Sequence, residues 1–297
     1  MIGNAEKTRS DKIKEISISF GKIEKENISG HYIVLRNPNR YIPQHIEDVS
    51  DFILELNFGL EKRKVKVESC QVKEYSLKIK LENIAEIEGL DLGLVTDAKI
   101  KVKSADFLLE ALLECFQTLK LEESHNLKEG LPENLEFVFG PPGTGKTTYL
   151  AKNVLIPLMN DSEDKKVLVL APTNKAVDVL TSRIIEEMKG NKDYENWLFR
   201  FGATPNEELE KLQVVKDRTF NLERLAKEVV VTTASRFTYD FTANEFGSKN
   251  LFDLNWDYIV IDEASMIHIP SIIFAIYKRH PKKIIIAGDP FQIGPIA

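Results

Sequence analysis

The stretch Gly140-Pro141-Pro142-Gly143-Thr144-Gly145-Lys146-Thr147, entered from the apolar run Phe137-Val138-Phe139, constrains this chain more than any other. It fits the spacing G-x-x-x-x-G-K-[ST] of a phosphate-binding loop. The glycines reach backbone angles closed to other residues, so successive N–H groups can turn inward around a polyphosphate. Lys146 brings a positive charge to β- and γ-phosphates, and the Thr147 hydroxyl suits Mg²⁺. A helix is expected from Thr148 to Met159, its positive end facing the same anion. With glycine near 7% of residues, the bare pattern arises by chance in a chain of this size roughly one time in a hundred. The strand before it and the helix after it lower that figure, and together they predict a nucleotide such as ATP at residues 140–148.

The 297 residues suffice for two domains and a sizeable core. A hydrophobic content of 43% and a charged content of 29% are those of an ordinary globular protein. The net charge of −6 does not announce a nucleic-acid binder, and it does not exclude a basic groove on an acidic protein. Cys70 and Cys115 stand far apart with no CxxC pair, which argues against a disulfide framework or a Cys-rich zinc site and suits a reducing cytosol. No apolar run follows Met1, so no signal peptide is read. The longest apolar stretch, around 269–277, is too short to span a bilayer. A cytoplasmic or nuclear location and no membrane partner are expected.

After a polar lead-in at 1–15, the chain alternates apolar and polar residues at 16–20, 31–35, 52–58, 65–72, 77–81 and 100–102. These read as six strands with one wet face, separated by turn signals at 27–30, 37–39 and 88–89. A small β-barrel or sandwich is the expected fold. Between Lys62 and Lys80 lie seven Lys or Arg against Glu68 and Glu74. Such a strip can track a phosphate backbone, although a solvated strand face protected by lysines explains it better. Residues 107–121 have helical spacing with a wide apolar face, suited to packing between two domains, and 122–134 read as a linker.

From the phosphate loop on, the rhythm is strand and helix. Strands are expected at 167–171, 199–201, 229–233, 258–261 and 283–287, with helices at 175–188 and over most of 264–279. Short buried strands between helices indicate an α/β fold with a parallel sheet covered on both faces, where ligands sit beyond the carboxyl ends of the strands. At those ends the chain places its chemistry. Asp262, ending the apolar run 258–261, suits holding Mg²⁺ through its water shell, and Glu263 suits orienting or deprotonating the attacking water. Gln292, in Gly288-Asp289-Pro290-Phe291-Gln292, is a neutral donor and acceptor able to sense a γ-phosphate or its water. Thr173 or Asn174, in Ala171-Pro172-Thr173-Asn174, can cap the following helix, and Thr232 and Thr233 end a similar strand. Two hydroxyl-rich strand ends on one sheet can hold a nucleic-acid backbone in register.

Together, GPPGTGKT, APTNKAVD, VTTAS, VIDEAS and GDPFQIGP resemble motifs I, Ia, Ic, II and III of superfamily 1 helicases, in the family's order. The spelling is most similar to the 5′-to-3′ group that contains the nonsense-mediated-decay RNA helicase, and RFGATPNEELEKL at 200–212 resembles the segment between Ia and Ic. The resemblance covers about 135–297. It implies a β-barrel-like domain at 1–105 that contacts nucleic acid, a stalk helix and linker at 106–134, and a first RecA-like P-loop domain at 135–297. It further implies that Lys146 and Thr147 bind phosphate and Mg²⁺, and that Asp262 holds the metal. Glu263 would be the catalytic base and Gln292 would contact the γ-phosphate. Pro172, Thr173, Asn174, Thr232 and Thr233 would line the path of single-stranded DNA or RNA. The family's adenine-reading glutamine has no clear counterpart, Gln117 being loosely spaced, and its second RecA-like domain is missing before Ala297. The expected function is an ATP-dependent helicase or translocase, here the N-terminal part of a longer protein. The rival readings are a P-loop ATPase switch and a nucleotide-dependent nucleic-acid-binding module that does not unwind.

Overall fold

The computed structural model describes residues 15–20, 22–25, 32–36, 42, 46, 52–59, 61–73, 75–87, 91–103, 106–118, 134–204, 206–279, 281–292 and 294. The lead-in before residue 15, the turns expected at 27–30, 37–39 and 88–89, and the linker at 122–133 lie outside the described residues. The chain divides into two compact units, Met1–Glu110 and Ala111–Ala297.

The first unit holds β1 (Glu15–Phe20), β2 (Lys22–Lys25), β3 (Tyr32–Arg36), β4 (Phe52–Asn57), β5 (Lys62–Lys73), β6 (Ser76–Leu81) and β7 (Asp97–Lys103). Neighbours run antiparallel in the order β1-β7-β4-β5-β6-β3-β2. β1 pairs with β7 and β2 pairs with β3, yet only one residue separates β1 from β2. The two edges of the sheet are therefore joined by one run of chain, and the sheet closes on itself as a barrel. Closure removes the exposed edges that would otherwise invite pairing with another chain.

Alternation decides what fills it. Phe52, Leu54 and Leu56 of β4, Leu77, Ile79 and Leu81 of β6, and Ile33 and Leu35 of β3 all point into one core. β5 buries Val65 and Val67, then slips register between Val67 and Ser69 and buries Cys70 and Val72 instead. An extra residue of this kind bends a strand and lets it serve β4 with one half and β6 with the other. The lysines of the basic strip take the outward positions among carboxylates. Lys64 and Lys101 stand 3.7 Å and 3.2 Å from Glu55, Lys80 lies 3.0 Å from Glu68, and Lys78 sits 4.5 Å over the Tyr32 ring.

In the second unit, β8 (Leu135–Phe139), β9 (Lys166–Ala171), β10 (Leu198–Phe201), β11 (Val215–Lys216), β12 (Glu228–Thr233), β15 (Tyr258–Ile261) and β16 (Lys283–Gly288) form a parallel sheet. Its order is β11-β10-β12-β9-β15-β16-β8. β13 (Phe241–Asn244) and β14 (Gly247–Asn250) make a separate hairpin. Val167, Val169, Val229, Val231, Val260 and Ile285 face one side, packed with Leu150, Leu155, Val177, Leu180 and Ile184. Those partners come from a helical run that starts as α2 (Lys146–Tyr149), and from α4 (Asn174–Glu187). The run widens into a π-turn at Leu150–Leu155 before α3 (Ile156–Asn160). Pro157 has no N–H to give and its ring crowds the carbonyl four residues back, which a wider turn accommodates.

The opposite side of the sheet, with Leu168, Leu170, Val230, Ile259 and Ile261, is covered by α5 (Ala234–Tyr239) and α6 (Ile269–Arg279). The C-terminal part of α1 (Asp106–Gln117) covers it too, through Leu112 and Cys115. Phe116, Phe237 and Phe252 gather round Phe274 with centroids 5.6–6.0 Å away. The Cys115 thiol donates to the Thr238 carbonyl at 3.1 Å, and burial pushes it up to about 11, so it is inert. Among the described residues, no helix is long and apolar enough to cross a membrane.

Glu228 opens β12 with no solvent exposure, its carboxylate facing the Lys166 ammonium at 3.4 Å. Burial outweighs that attraction and pushes its carboxyl up to about 7. Between about pH 4.5 and 7 the folded chain keeps a proton that the unfolded chain has released, so this group's contribution to stability falls as pH rises through that window. Glu228→Gln should therefore be more stable than the wild type at pH 8 by on the order of 2 kcal/mol, with the gap closing towards pH 4.5, as measured by urea unfolding across pH.

Candidate nucleotide site

The register of the parallel sheet sets the site. Ile261 lies opposite Leu170 and Ile286, and Gly288 lies opposite Phe139. The chain therefore leaves β8, β9, β15 and β16 at one level, at the carboxyl edge. Gly288 packs against the start of the segment that follows Glu263. A Cβ there would stand 3.4 Å from the Ser265 N and 3.5 Å from the Ala264 N.

The loop after β8 has the backbone that its glycines allow. Gly143 and Gly145 adopt φ of 79° and 89°, the left-handed region, and Gly145 caps α2 from that conformation. A Cβ on Gly140 would fall 2.5 Å from Thr144 Oγ1, which donates to the Pro141 carbonyl at 2.8 Å. Pro141, Pro142, Gly143, Thr144 and Gly145 are exposed, while Lys146, Thr147 and Thr148 are half-buried at the helix start. The Lys146 ammonium folds back over the loop, donating to the carbonyls of Gly140 at 2.5 Å and Pro141 at 3.0 Å.

Thr147 Oγ1 donates to Asp262 Oδ2 at 3.2 Å, across 115 residues of sequence. Asp262 is 2% exposed; its N–H donates to the Leu170 carbonyl at 2.9 Å, and its Oδ1 accepts from the Glu263 N–H at 3.0 Å. Burial first, and then the Glu263 charge, push the Asp262 carboxyl up to about 6. Glu263 itself sits at φ 49°, a left-handed conformation uncommon outside glycine. Two adjacent carboxylates, one buried and held above its ordinary range, form a place that a cation would relieve. Among the described residues no three His, Cys, Asp or Glu stand together as a metal cluster. The oxygens of Thr147 and Asp262 fit Mg²⁺, which is bound through few protein ligands and completes its shell with water and phosphate.

Gln292 joins this group through Ser265, whose hydroxyl donates to Gln292 Oε1 at 3.3 Å, and its N–H donates to the Asp289 carbonyl at 3.1 Å. Phe291 beside it is 95% exposed.

The residues expected along a nucleic-acid path are placed differently. Pro172 and Thr173 are half-buried, and Thr173 Oγ1 accepts from the Ala176 N–H as the cap of α4. Asn174 is buried, with its Oδ1 accepting from Arg200 Nη2 at 2.9 Å. Thr232 and Thr233 are fully buried. Thr232 Oγ1 donates to the Phe201 carbonyl at 3.2 Å, and Thr233 Oγ1 accepts from the Arg236 N–H at 3.2 Å. These polar groups are spent inside the protein. Residue-by-residue reading missed Arg200, the partner of Asn174, and with it Asp178 and Thr204, which complete the same buried cluster. The signal was an arginine in the middle of the otherwise apolar strand Leu198-Phe199-Arg200-Phe201.

A family model described as an AAA domain matches residues 124–297. The chain belongs to that family. The relatives it resembles include proteins described as helicases. RecBCD enzyme subunit RecD of Buchnera aphidicola (subspecies Acyrthosiphon pisum) is 29% identical over 56% of this chain and 24% of its own length. ATP-dependent helicase NAM7 of Saccharomyces cerevisiae is 28% identical over 61% of this chain and 21% of its own. DNA replication ATP-dependent helicase/nuclease DNA2 of the same yeast is 27% identical over 60% of this chain and 11% of its own. The matched part is thus about a quarter or less of these relatives. Among solved structures, arterivirus nonstructural protein 10 (helicase) aligns over 91% of this chain and 47% of its own, with 16% identity and a TM-score of 0.37.

An alanine at position 145 would have to hold a left-handed φ, at a cost of about 1–2 kcal/mol. Gly145→Ala should weaken binding of a non-hydrolysable ATP analogue at least roughly tenfold by calorimetry while the domain stays folded by circular dichroism.

Proposed function

We propose that this chain is the ATP-hydrolysing front part of a helicase or translocase that moves along single-stranded DNA or RNA. The observation that carries the reading is the Thr147–Asp262 hydrogen bond of 3.2 Å, beside Glu263, where a phosphate loop and an acidic strand end meet.

On this reading the backbone N–H groups of residues 140–145 wrap the phosphates of ATP. Lys146 exchanges its loop carbonyls for β- and γ-phosphate oxygens. Thr147 and Asp262 would hold a Mg²⁺, which would supply neutralising charge for those phosphates. Thr148 lies at the start of the same helix and completes the cradle. Glu263 orients the attacking water and accepts its proton; its left-handed backbone turns the chain sharply after the strand end, beside the loop that carries Gln292. Ser265 holds the Gln292 carbonyl oxygen, and the amide N–H₂ gives one hydrogen to Met266 Sδ at 3.7 Å and has a second to donate towards the γ-phosphate.

Completion of the site needs a second RecA-like lobe, whose arginine would stabilise the charge of the transferring phosphoryl group. The exposed phosphate loop and the small share of each relative that is matched support that expectation. ATP binding would close the two lobes, hydrolysis would reopen them, and alternating grip would step the strand. The barrel of the first unit offers outward lysines, among them Lys64, Lys66, Lys78 and Lys80, as a backbone contact.

The test is steady-state ATP hydrolysis by the longer protein, with and without single-stranded DNA and RNA, against Glu263→Gln. Strand-stimulated turnover is expected, and the variant should lose at least about a hundredfold in kcat while still binding ATP. Turnover that no strand stimulates, or that survives Glu263→Gln, would contradict the proposal.

A further inference from the structure

The charge buried in β10 takes no part in the nucleotide site, yet it holds together the loops beside it. Arg200 has no solvent exposure. Its Nε donates to Asp178 Oδ1 at 2.9 Å and its Nη2 to Asn174 Oδ1 at 2.9 Å, both on α4. Its Nη1 donates to the carbonyls of Phe201 at 3.3 Å and Gly202 at 2.7 Å, where β10 leaves the sheet. The second oxygen of Asp178 takes the Thr204 hydroxyl at 2.8 Å. The Phe201 carbonyl also accepts from Thr232 of β12 at 3.2 Å. One planar cation therefore ties three strand ends together: β9 through the start of α4, β10 directly, and β12 through the shared carbonyl.

Only arginine supplies donors in a fork of this shape. A buried ion pair adds little stability over well-packed apolar side chains, so energy alone is a poor reason for one. What it determines is relative position. We propose that Arg200 is a positioning residue for the single strand. It sets the spacing of the loops after β9, β10 and β12, so that their backbone groups meet successive phosphates in register. This rests on the helicase reading above. In it Asn174, Thr232 and Thr233 act from inside the frame, and the half-buried residues that follow the strands, Pro172, Thr173, Ala203 and Ser235, make the contact.

The test uses the 297-residue chain and short fluorescein-labelled oligo(dT) and oligo(rU), with strand binding read by fluorescence anisotropy at fixed salt. Arg200→Lys keeps the charge and loses the fork. Thr204→Val removes the hydroxyl from Asp178, and Thr204→Ser keeps it. Arg200→Lys and Thr204→Val should each weaken strand affinity at least roughly tenfold. Thr204→Ser should stay within about twofold of the wild type, as should the affinity of all three variants for a non-hydrolysable ATP analogue. Wild-type strand affinity in Thr204→Val, or in a folded Arg200→Lys, overturns the inference. So does a loss of strand affinity matched by an equal loss of nucleotide affinity, which marks a merely structural role. A wild-type chain that binds neither oligonucleotide overturns the helicase reading, and the inference with it.

Discussion

A hydroxyl and a carboxylate brought to 3.2 Å join the two halves of the candidate site. Thr147 belongs to the phosphate loop and Asp262 to the end of β15, and two strand pairings set the distance between them. β15 pairs with β16, and β16 pairs with β8, each in parallel. Because all three run the same way, their carboxyl ends share one edge, and the loop must fold back over that edge to reach Asp262. Parallel sheets form only when both faces are covered. The cores packed on the two faces are therefore what hold Thr147 within reach of Asp262.

Farther along the same edge, buried charge takes over the ordering. Arg200 binds the start of α4, while Asp240 accepts from Arg236 at 2.9 Å and from Arg218 at 2.5 Å. Gly202 must be glycine beside this cluster, since a Cβ would lie 2.9 Å from the Arg236 guanidinium and its φ is 103°. The nucleotide end of the edge is thus left with exposed loops and strained backbone at Glu263, and the other end is locked by buried, hydrogen-bonded ion pairs. That division suits one end that exchanges ligand and another that keeps a fixed spacing.

Much of this was legible in the sequence. The phosphate loop and Asp262 are short-range signals, each tied to its own strand, so their placement follows once the strands are recognised. Buried strands such as Val229–Val231 and Ile259–Ile261 declared themselves by unbroken apolar runs. The barrel showed as alternation, but its closure did not. β2 is only four residues of mixed character, Lys22-Ile23-Glu24-Lys25, and its pairing with β3 is set by the fold. The hairpin Phe241–Asn250 was missed because its turn, Glu245-Phe246, is not one of the glycine or asparagine pairs that mark two-residue hairpins. The nucleic-acid residues were read from hydroxyls at strand ends, and spacing along one strand does not reveal that Arg200, on another, faces them from inside.

If Thr147 and Asp262 together form a Mg²⁺-dependent nucleotide site, the affinity of this chain for a non-hydrolysable ATP analogue, with and without Mg²⁺, reports it. Wild type is compared with Asp262→Asn, which keeps the shape and the hydrogen bond from the Glu263 N–H while removing the charge. The account predicts that Mg²⁺ tightens binding at least roughly tenfold in the wild type and changes it little in the variant. An equal Mg²⁺ effect in both proteins would place the ion elsewhere and contradict it.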